Sequence, residues 1–250
     1  MRNIILTGGN DGIGLEMIKQ FLQDGDRVAV LDISGSNLAP LVNDNPGKLL
    51  FFQCDIRDGA LVEKCVNETL AVWGALDYAI HNACKCTFLG FMETEEATCR
   101  EVFDVNYYGA VHLAKAVIPG MQKRHAGSVF FTSSGVGVMG FPRISPYASS
   151  KGALEALAKC LQLEYQADGI SFHILHPPLT RTVSARPLPV PEAFKADPKA
   201  VGQGLAKNIT RKQFIICPSF GQAVQTKMTY VFSISLGKLM SDKLDKLAQK

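Results

Sequence analysis

The chain has 250 residues, of which 47% are hydrophobic and 20% are charged, which is enough for one well-buried α/β domain over residues 1–250. Its formal net charge is +3, from 26 basic and 23 acidic residues, and the sequence contains no basic block. The composition therefore argues against a nucleic-acid-binding surface.

Seven cysteines, an odd number spread along the chain, are typical of free thiols in a reducing compartment rather than of a disulfide scaffold. Cys84 and Cys86 form a close pair, but no second pair follows at zinc-site spacing, so we expect no metal site. The first apolar strand begins at residue 3, which leaves no room for a signal peptide. We expect a cytoplasmic protein.

The amino-terminal segment predicts a strand, a glycine-rich turn and a helix in that order. The apolar residues 3–7 run directly into Gly8, Gly12 and Gly14, after which apolar residues recur at helical spacing as far as Asp24. Glycines at such a turn let the backbone approach a pyrophosphate, which binds at the positive end of the helix. The segment predicts a dinucleotide site, and a merely tight turn is the alternative.

The next predicted strand, residues 27–32, ends in a carboxylate. Asp32 follows the glycines by about twenty residues, where a dinucleotide fold places the group that binds the adenosine ribose. No Arg or Lys follows in residues 33–37, and Asn10 and Asp11 in the glycine turn are not basic either. A 2′-phosphate would meet an uncompensated negative charge, which favours NAD over NADP. Capping of a turn is the alternative role for Asp32.

Apolar runs separated by helical patterns predict the rest of a parallel sheet. The predicted strands are residues 3–7, 27–32, 49–54, 77–82, 128–133, 170–175 and 213–217. Right-handed crossovers between them predict a doubly wound, Rossmann-type α/β sheet of about seven strands with helices on both faces. The cofactor is expected along the carboxyl ends of the strands.

Three polar residues that can carry proton chemistry follow the fifth predicted strand. Ser134 lies at the end of that strand, and Tyr147 and Lys151 share one face of a helix predicted over residues 146–165. A tyrosine has an ordinary pKa of about 10, which a nearby cation lowers. The spacing therefore predicts a phenol acting as acid or base beside an ammonium, although such pairs also occur by chance on surface helices.

Taken together, these motifs resemble the short-chain dehydrogenase/reductase family over most of the chain. The resemblance implies that Asp55 contacts adenine, that Asn106 lies in a helix kink that holds a water of the proton relay, and that the protein forms a homodimer or homotetramer. The implied catalytic residues are Asn106, Ser134, Tyr147 and Lys151. The implied NAD-binding residues are Gly8, Asn10, Gly12, Ile13, Gly14, Asp32, Asp55, Ile56, Asn82, Tyr147, Lys151 and Thr182.

Two loops depart from the family pattern. The family's Asn-Asn-Ala-Gly begins with His81 here and ends with Cys84, which adds a side chain beside the expected nicotinamide ribose. The family's Pro-Gly ends with Pro178, which lacks an N–H and has a fixed φ. We therefore expect the loop that carries Thr182 to follow a different path.

The segment of residues 221–250 predicts an amphipathic helical extension. Its apolar stripe comprises Val224, Met228, Val231, Phe232, Leu236, Leu239, Met240 and Leu247, and its other face carries Lys227, Lys238, Lys243 and Lys246. No run reaches the roughly 18 apolar residues of a membrane span. The helix either packs on the domain or a second subunit, or lies at a membrane surface near a membrane-dissolved substrate.

The loops expected around the nicotinamide are apolar. They carry Phe88, Phe91, Met139, Phe141 and Leu179, and the proline-rich residues 185–191 predict a short, stiff lid. The sequence thus predicts NAD-dependent interconversion of a secondary alcohol and a ketone, with an apolar substrate such as a steroid, a retinoid or another lipid-like alcohol. Two alternatives stay open, a non-catalytic NAD(H) sensor or interaction protein and an NADP-dependent carbonyl reductase.

Overall fold

A computed structural model describes the backbone of residues 1–186, 188 and 190–248 and the side chains as far as residue 243. Its strands are β1 (Asn3–Thr7), β2 (Arg27–Asp32), β3 (Leu49–Gln53), β4 (Tyr78–His81), β5 (Gly127–Thr132), β6 (Ile170–Leu175) and β7 (Ile215–Ile216). Its α-helices within these ranges are α1 (Gly12–Gln23), α2 (Ala39–Asp44), α3 (Gly59–Trp73), α4 (Glu96–Phe103), α5 (Gly109–Arg124), α6 (Ser145–Tyr165), α7 (Pro198–Asn208), α8 (Phe220–Val231) and α9 (Ser233–Ala248).

The strands form one parallel sheet in the order β3-β2-β1-β4-β5-β6-β7, which confirms the predicted doubly wound fold. Each predicted strand is present, with ends that differ by at most two residues. The largest difference is at β7, predicted over residues 213–217, where only Ile215 and Ile216 pair with β6. As the last strand of the sheet, β7 has a partner on one side only.

Alternating side chains place apolar residues on both faces of the sheet. In β2, Ala29 and Leu31 pack with residues of α3, α5 and α6, whereas Val28 and Val30 pack with residues of α1 and α7. All four side chains are buried. The core therefore lies in two layers, and the carboxyl edge of the sheet is left for loops.

The chain reverses its direction of travel across the sheet at β1. From β1 it passes outward to β2 and β3, and it then crosses to β4 on the other side. Thr7 at the end of β1 lies in register with His81 at the end of β4. Loops that leave these two strand ends diverge and open a crevice between them.

The C-terminal segment forms two helices rather than the single predicted extension. Phe232 leaves helical geometry with φ −118° and ψ 42°, and this residue separates α8 from α9. Helix α9 packs so closely on the loop between β5 and α6 that a Cβ atom on Gly237 would overlap the carbonyl oxygen of Gly140. No helix in the described part of the chain is long and apolar enough to cross a membrane.

Candidate active site

A cavity of about 1070 Å³ follows the carboxyl ends of the strands. Its wall includes the glycine turn and Asp32, the residues Tyr147 and Lys151, and side chains of both C-terminal helices. Ligand pockets are commonly about 300–1,000 Å³, so this one is large enough for an extended ligand together with a second molecule.

The glycine turn is shaped for close approach of a ligand. Gly8 and Gly12 have φ of +72° and +57°, which side-chain-bearing residues rarely adopt. A Cβ atom on Gly8 would lie 2.5 Å from the Cα of Ala83. The N-cap residue of α1, Asp11, makes no side-chain capping bond to the helix and instead accepts a 3.3 Å hydrogen bond from the Val183 N–H. The first N–H groups of α1 thus have no side-chain cap, which fits a dinucleotide pyrophosphate.

Asp32 lies at the cavity wall at the end of β2. Its carboxylate accepts hydrogen bonds from the N–H groups of Asn10 at 2.9 Å and Ser34 at 3.1 Å. The Asn10 side chain in turn accepts from the Asn37 N–H at 2.8 Å. Asp32 therefore caps a turn, which is the alternative role predicted from the sequence. It also lies at the cavity wall.

Ser134, Tyr147 and Lys151 converge on the same cavity from β5 and α6. Lys151 is almost completely buried, and its ammonium donates a 2.7 Å hydrogen bond to the Thr132 carbonyl. The same nitrogen lies 5.5 Å from the centre of the Tyr147 ring, and the Ser134 hydroxyl is within hydrogen-bonding reach of the phenol. A phenol, a hydroxyl and an ammonium thus share one wall.

The pKa of Tyr147 differs in direction from the sequence expectation. Burial raises it well above its ordinary value, the neighbouring Cys86 and Cys84 thiols raise it further, and the hydrogen bond with Ser134 opposes them. The expectation of a lowered pKa was wrong, because burial and the two thiols raise the pKa, and the Lys151 ammonium donates to a main-chain carbonyl. Tyr147 is accordingly a protonated phenol near neutral pH.

Asn106 lies in the kink that the resemblance implied. A single π-helical turn, Asp104–Tyr108, joins α4 to α5 and buries this residue completely. The Asn106 amide donates to the Ser150 hydroxyl at 2.9 Å and to the Lys85 carbonyl at 3.0 Å, and its oxygen accepts from the Lys85 N–H at 2.7 Å. The side chain therefore ties the loop after β4 to α6, next to Lys151.

His81, the first residue that departs from the family motif, is fully buried between β1 and the π turn. Its Nε2 lies 3.1 Å from the Asn106 carbonyl, and its Nδ1 lies 3.0 Å from the Thr7 hydroxyl. Because a carbonyl can only accept, Nε2 carries the proton and Thr7 donates to Nδ1. Burial, together with the charge of Lys151, lowers the pKa of His81 to about 3, so the ring is neutral.

Asn82 and Thr182 both line the cavity next to the glycine turn. The Asn82 amide donates to the Gly8 carbonyl at 2.7 Å, and its oxygen accepts from the Thr132 hydroxyl at 3.3 Å. Thr182 contacts Gly12, and its hydroxyl lies 3.1 Å from that of a neighbouring serine. Despite Pro178, the loop returns Thr182 to the glycine turn.

Three of the implied cofactor residues do not line the cavity. Asp55 forms an ion pair with Arg57 at 2.6 Å, and this hydrogen bond lowers the pKa of the carboxylate. Ile56 is buried against Gly109, and Gly14 is buried beneath the turn, against the Gly8 carbonyl. Ile13 and Asn10 do line the cavity, as do the remaining predicted residues of the turn.

The apolar lining was largely predicted. Phe88, Met139, Phe141 and Leu179 line the cavity, whereas Phe91 does not and is 75% exposed, because it lies in a short 3₁₀ helix on the surface. In the predicted lid, Leu188 and Val190 also line the cavity, and Pro187 and Pro189 lie outside the described residues.

A buried carboxylate close to Lys151 was not predicted from the sequence. Glu155, one turn after Lys151 on α6, accepts hydrogen bonds from the Ser133 hydroxyl at 2.8 Å and the Tyr230 phenol at 2.5 Å. His176 Nε2 lies 3.4 Å from the same carboxylate. Burial alone would raise the pKa of Glu155, but its contacts with these three neighbours outweigh burial and the pKa is lowered. Tyr230 comes from α8, so this contact fixes that helix over α6.

The two C-terminal helices cover one end of the cavity, and we call α8 and α9 the helical roof. The roof contributes Gln222, Gln225, Thr226, Thr229, Met240 and Lys243 to the lining. Lys243, expected on a face away from the domain, lies over the Phe194 ring at 5.3 Å. A signal for this face was present in the sequence. The four polar residues of α8 recur at spacings of three or four, on the side opposite the apolar stripe. The side chains of Lys246 and Leu247 are outside the described part.

Comparison with known proteins identifies the family. Residues 2–192 match the family described as short chain dehydrogenase. The chain belongs to the short-chain dehydrogenase family. Its members bind a nicotinamide cofactor. An uncharacterised oxidoreductase of Mycobacterium bovis is 31% identical over 204 residues, which are 76% of this chain and 58% of that protein. The chain thus spans little more than half the length of that relative.

Other known proteins resemble the chain over more of their length. The 2,5-dichloro-2,5-cyclohexadiene-1,4-diol dehydrogenase of Sphingobium indicum is 33% identical over 183 residues, 72% of this chain and 73% of that protein. A short-chain dehydrogenase structure from Streptomyces avermitilis superposes with a TM-score of 0.83 at 24% identity, covering 98% of this chain and 97% of that one. ElxO with NADP bound has a TM-score of 0.77 at 21% identity, covering 90% and 99%. These two structures support the fold.

Proposed function

We propose that the protein is an NAD-dependent oxidoreductase that interconverts a secondary alcohol and a ketone. The observation that carries the proposal is the convergence of Ser134, Tyr147 and Lys151 on one cavity that also contains the glycine turn. A proton donor, a hydrogen-bond donor and a fixed cation beside a dinucleotide site are what hydride transfer to or from a carbonyl carbon requires.

In the proposed reaction, a bound nicotinamide supplies or accepts the hydride. Tyr147 gives a proton to the substrate oxygen in reduction and takes it in oxidation. Ser134 donates a hydrogen bond to the same oxygen and fixes its position. Lys151 has further N–H donors besides the one used by Thr132, and these would bind the nicotinamide ribose. Asn106 positions Lys151 through Ser150, the preceding residue on α6.

NAD is favoured over NADP by charge at the adenosine end. Asp32 faces the cavity there, together with Ser34 and Asn37, and the described lining contains no Arg or Lys close to it in the sequence. A 2′-phosphate would therefore be repelled. Titration of the purified protein with NAD and NADP tests this directly: a preference for NADP would make the carbonyl-reductase alternative the correct one.

An apolar substrate is supported by the apolar part of the cavity lining. Phe88, Met139, Phe141 and Leu179 contribute to it, together with Met240 of the roof. We propose a lipid-like alcohol or ketone, such as a steroid or a retinoid. A panel of secondary alcohols, sterols and retinoids is incubated with NAD, and turnover is detected by the fluorescence of the reduced cofactor. Silence across the panel with tight NAD binding would favour a non-catalytic sensor.

Exposed apolar side chains on the helical roof support a partner or membrane contact. Val231, Phe232 and Ile234, around the break between α8 and α9, are 68%, 48% and 75% exposed. We propose that the protein is a homodimer or homotetramer, and that this surface also allows peripheral contact with a membrane. Size-exclusion chromatography with light scattering measures the assembly, and co-sedimentation with liposomes measures the membrane contact. A monomer that stays in the supernatant would contradict both.

A further inference from the structure

Two cysteines line the cavity beside Tyr147 and have no part in the proposed reaction. Cys84 stands where the family motif has glycine, and Cys86 follows two residues later. The thiols contact each other, the Cys86 thiol also contacts the Tyr147 phenol, and Cys84 contacts Ser184. Two thiols are thus held together at the reaction centre.

The backbone around Lys85 explains why both thiols face the cavity. The Asn106 side chain makes hydrogen bonds with both the N–H and the C=O of Lys85, as the backbone of a neighbouring strand would. This pairing requires the backbone of Lys85 to be extended. The Lys85 ammonium points away to the Glu101 carboxylate at 2.5 Å. Because side chains alternate along an extended chain, Cys84 and Cys86 lie together on the opposite side.

The two thiols have different acidities. The hydrogen bond from Cys86, together with the Lys151 charge and the Ser184 contact, outweighs burial and lowers the pKa of Cys84 to about 6. The same contact and burial raise the pKa of Cys86. Cys84 is therefore the thiol that ionises more readily and is the stronger nucleophile, and it lies beside a thiol that holds its proton, which is the arrangement of a reactive and a resolving cysteine.

A second pair of cysteines shows that proximity alone does not give this reactivity. Cys54 and Cys65 also contact each other, but both are buried in the core and outside the cavity. Burial raises the pKa of Cys54 to about 12 and also raises that of Cys65. These thiols stay protonated and out of reach of a solute.

We propose that Cys84 and Cys86 form a dithiol that hydroperoxides oxidise, reversibly, to a disulfide within the active site. The Cys84 thiolate attacks the peroxide, the O–O bond breaks, and a proton from solvent completes the water or alcohol that leaves. The Cys84 sulfenic acid is then attacked by the Cys86 thiol, an S–S bond forms, and water leaves. Overall, two thiols lose two electrons and two protons, and one peroxide is reduced.

The bond requires the backbone at Lys85 to bend, because disulfides join Cβ atoms about 3.5–4.5 Å apart, closer than two residues of fully extended chain place them. Two residues of extended chain span about 6.4–6.8 Å between Cα atoms. Disulfides join Cα atoms that are roughly 4.4–6.8 Å apart. A bridge at that limit is strained and is readily reduced by a dithiol reductant. The modification is thus a reversible one.

Turnover is expected to stop in the disulfide form, and this consequence alone rests on the proposed function. Bond formation draws the Cys86 sulfur from the Tyr147 phenol and pulls on the chain that Asn106 fixes. It also removes the anionic partner of Lys151. The oxidised protein should regain its rate on treatment with a dithiol reductant.

The test treats the full chain with hydrogen peroxide and follows two readouts, intact mass with peptide mapping and, separately, turnover. We expect a loss of two hydrogens that maps to Cys84 and Cys86, and an oxidation rate that rises with pH through about 6 and then levels off, since the thiolate reacts. Cys84→Ser should slow the oxidation by hydrogen peroxide by more than about tenfold. Cys86→Ser should stop at a sulfenic acid on Cys84 that dimedone traps.

Cys160→Ser is the matched control, because Cys160 is exposed on α6 and does not line the cavity. It should oxidise and recover like the unmodified protein. Mapping of the disulfide to other cysteines, or accumulation of sulfenic acid on Cys84 without a disulfide in the unmodified protein, would overturn the proposal. The mass readout needs no substrate and no variant, so it decides the matter even if the protein turns over no alcohol.

Discussion

The two ends of the cavity are assembled in different ways. The cofactor end is built from the ends of β1 and β2 and the turn between them, so Gly8, Gly12 and Asp32 lie close in sequence as well as in space. The end under the helical roof depends on Tyr230, which reaches Glu155 across 75 residues of chain. The cofactor end is thus set by a local motif, whereas the shape of the end under the roof is set by long-range contacts that can change without altering that motif.

The largest effect should come from Tyr147→Phe, which removes the proton donor and keeps the ring. We expect kcat/KM to fall by about 100-fold to 10,000-fold, with NAD affinity unchanged. Steady-state kinetics and a fluorescence titration measure the two quantities. Tyr108→Phe, which removes a hydroxyl from a half-exposed ring, is the matched control. Wild-type rates in Tyr147→Phe would show that another group moves the proton.

Asp32→Ala tests the cofactor end alone. Loss of hydrogen bonds to a charged group costs about 1.5–3 kcal/mol, so NAD should bind about 10- to 100-fold more weakly, with kcat at saturating NAD preserved. Isothermal titration measures the affinity. Asp55→Ala removes a carboxylate that does not line the cavity and is paired with Arg57. An equal loss in both variants would restore the adenine contact that the family resemblance implied.

Tyr230→Phe tests the roof alone. The change leaves one oxygen of buried Glu155 without its donor, which should cost about 1–3 kcal/mol of unfolding free energy. We expect a looser roof to raise KM for the substrate by about three- to tenfold and to leave NAD affinity unchanged. Urea denaturation and kinetics measure the two effects. A drop in kcat with unchanged KM would place Glu155 in catalysis and not in the roof.

His81→Asn tests the junction between the two ends through the pH dependence of stability. The folded pKa of His81, about 3, lies below its ordinary value of 6.5, so the folded protein resists protonation that the unfolded chain accepts. This stabilisation is present above pH 6.5 and is lost as pH falls towards 3, by up to about 1.4 kcal/mol per pH unit. Urea midpoints across this range should fall less steeply in the variant. His125→Asn, at an exposed histidine, should keep the original slope.

The smallest effect should be a shift in the pH profile of Cys86→Ala. Oxidation of an alcohol substrate needs the phenolate of Tyr147. Burial and then both thiols raise the pKa of this phenol, so the turnover rate should rise at alkaline pH. Removing Cys86 takes away one contribution that raises this pKa. The alkaline rise should therefore move to lower pH, by less than about one unit. A profile that stays in place would show that the thiol does not influence the proton donor.

The comparison also explains what the sequence could predict. Gly8, Gly12, Asp32, Asn82, Ser134, Tyr147 and Lys151 line the cavity, because each follows a strand or lies on one helical face. Glu155 and His176 carried no such signal, since their roles depend on which distant residue packs beside them. The break at Phe232 was hidden because the apolar pattern continues across it. The lowered pKa expected for Tyr147 failed because it depends on burial and on the direction of the Lys151 ammonium.

The link between Tyr230 and Glu155 joins the core of the domain to a segment that lies after the last strand of the sheet. A chain that ends before residue 220 would keep the seven described strands, the glycine turn, Asp32 and Tyr147, and would lose α8 and α9. We expect such a truncated chain to retain the cofactor and to lose discrimination among substrates.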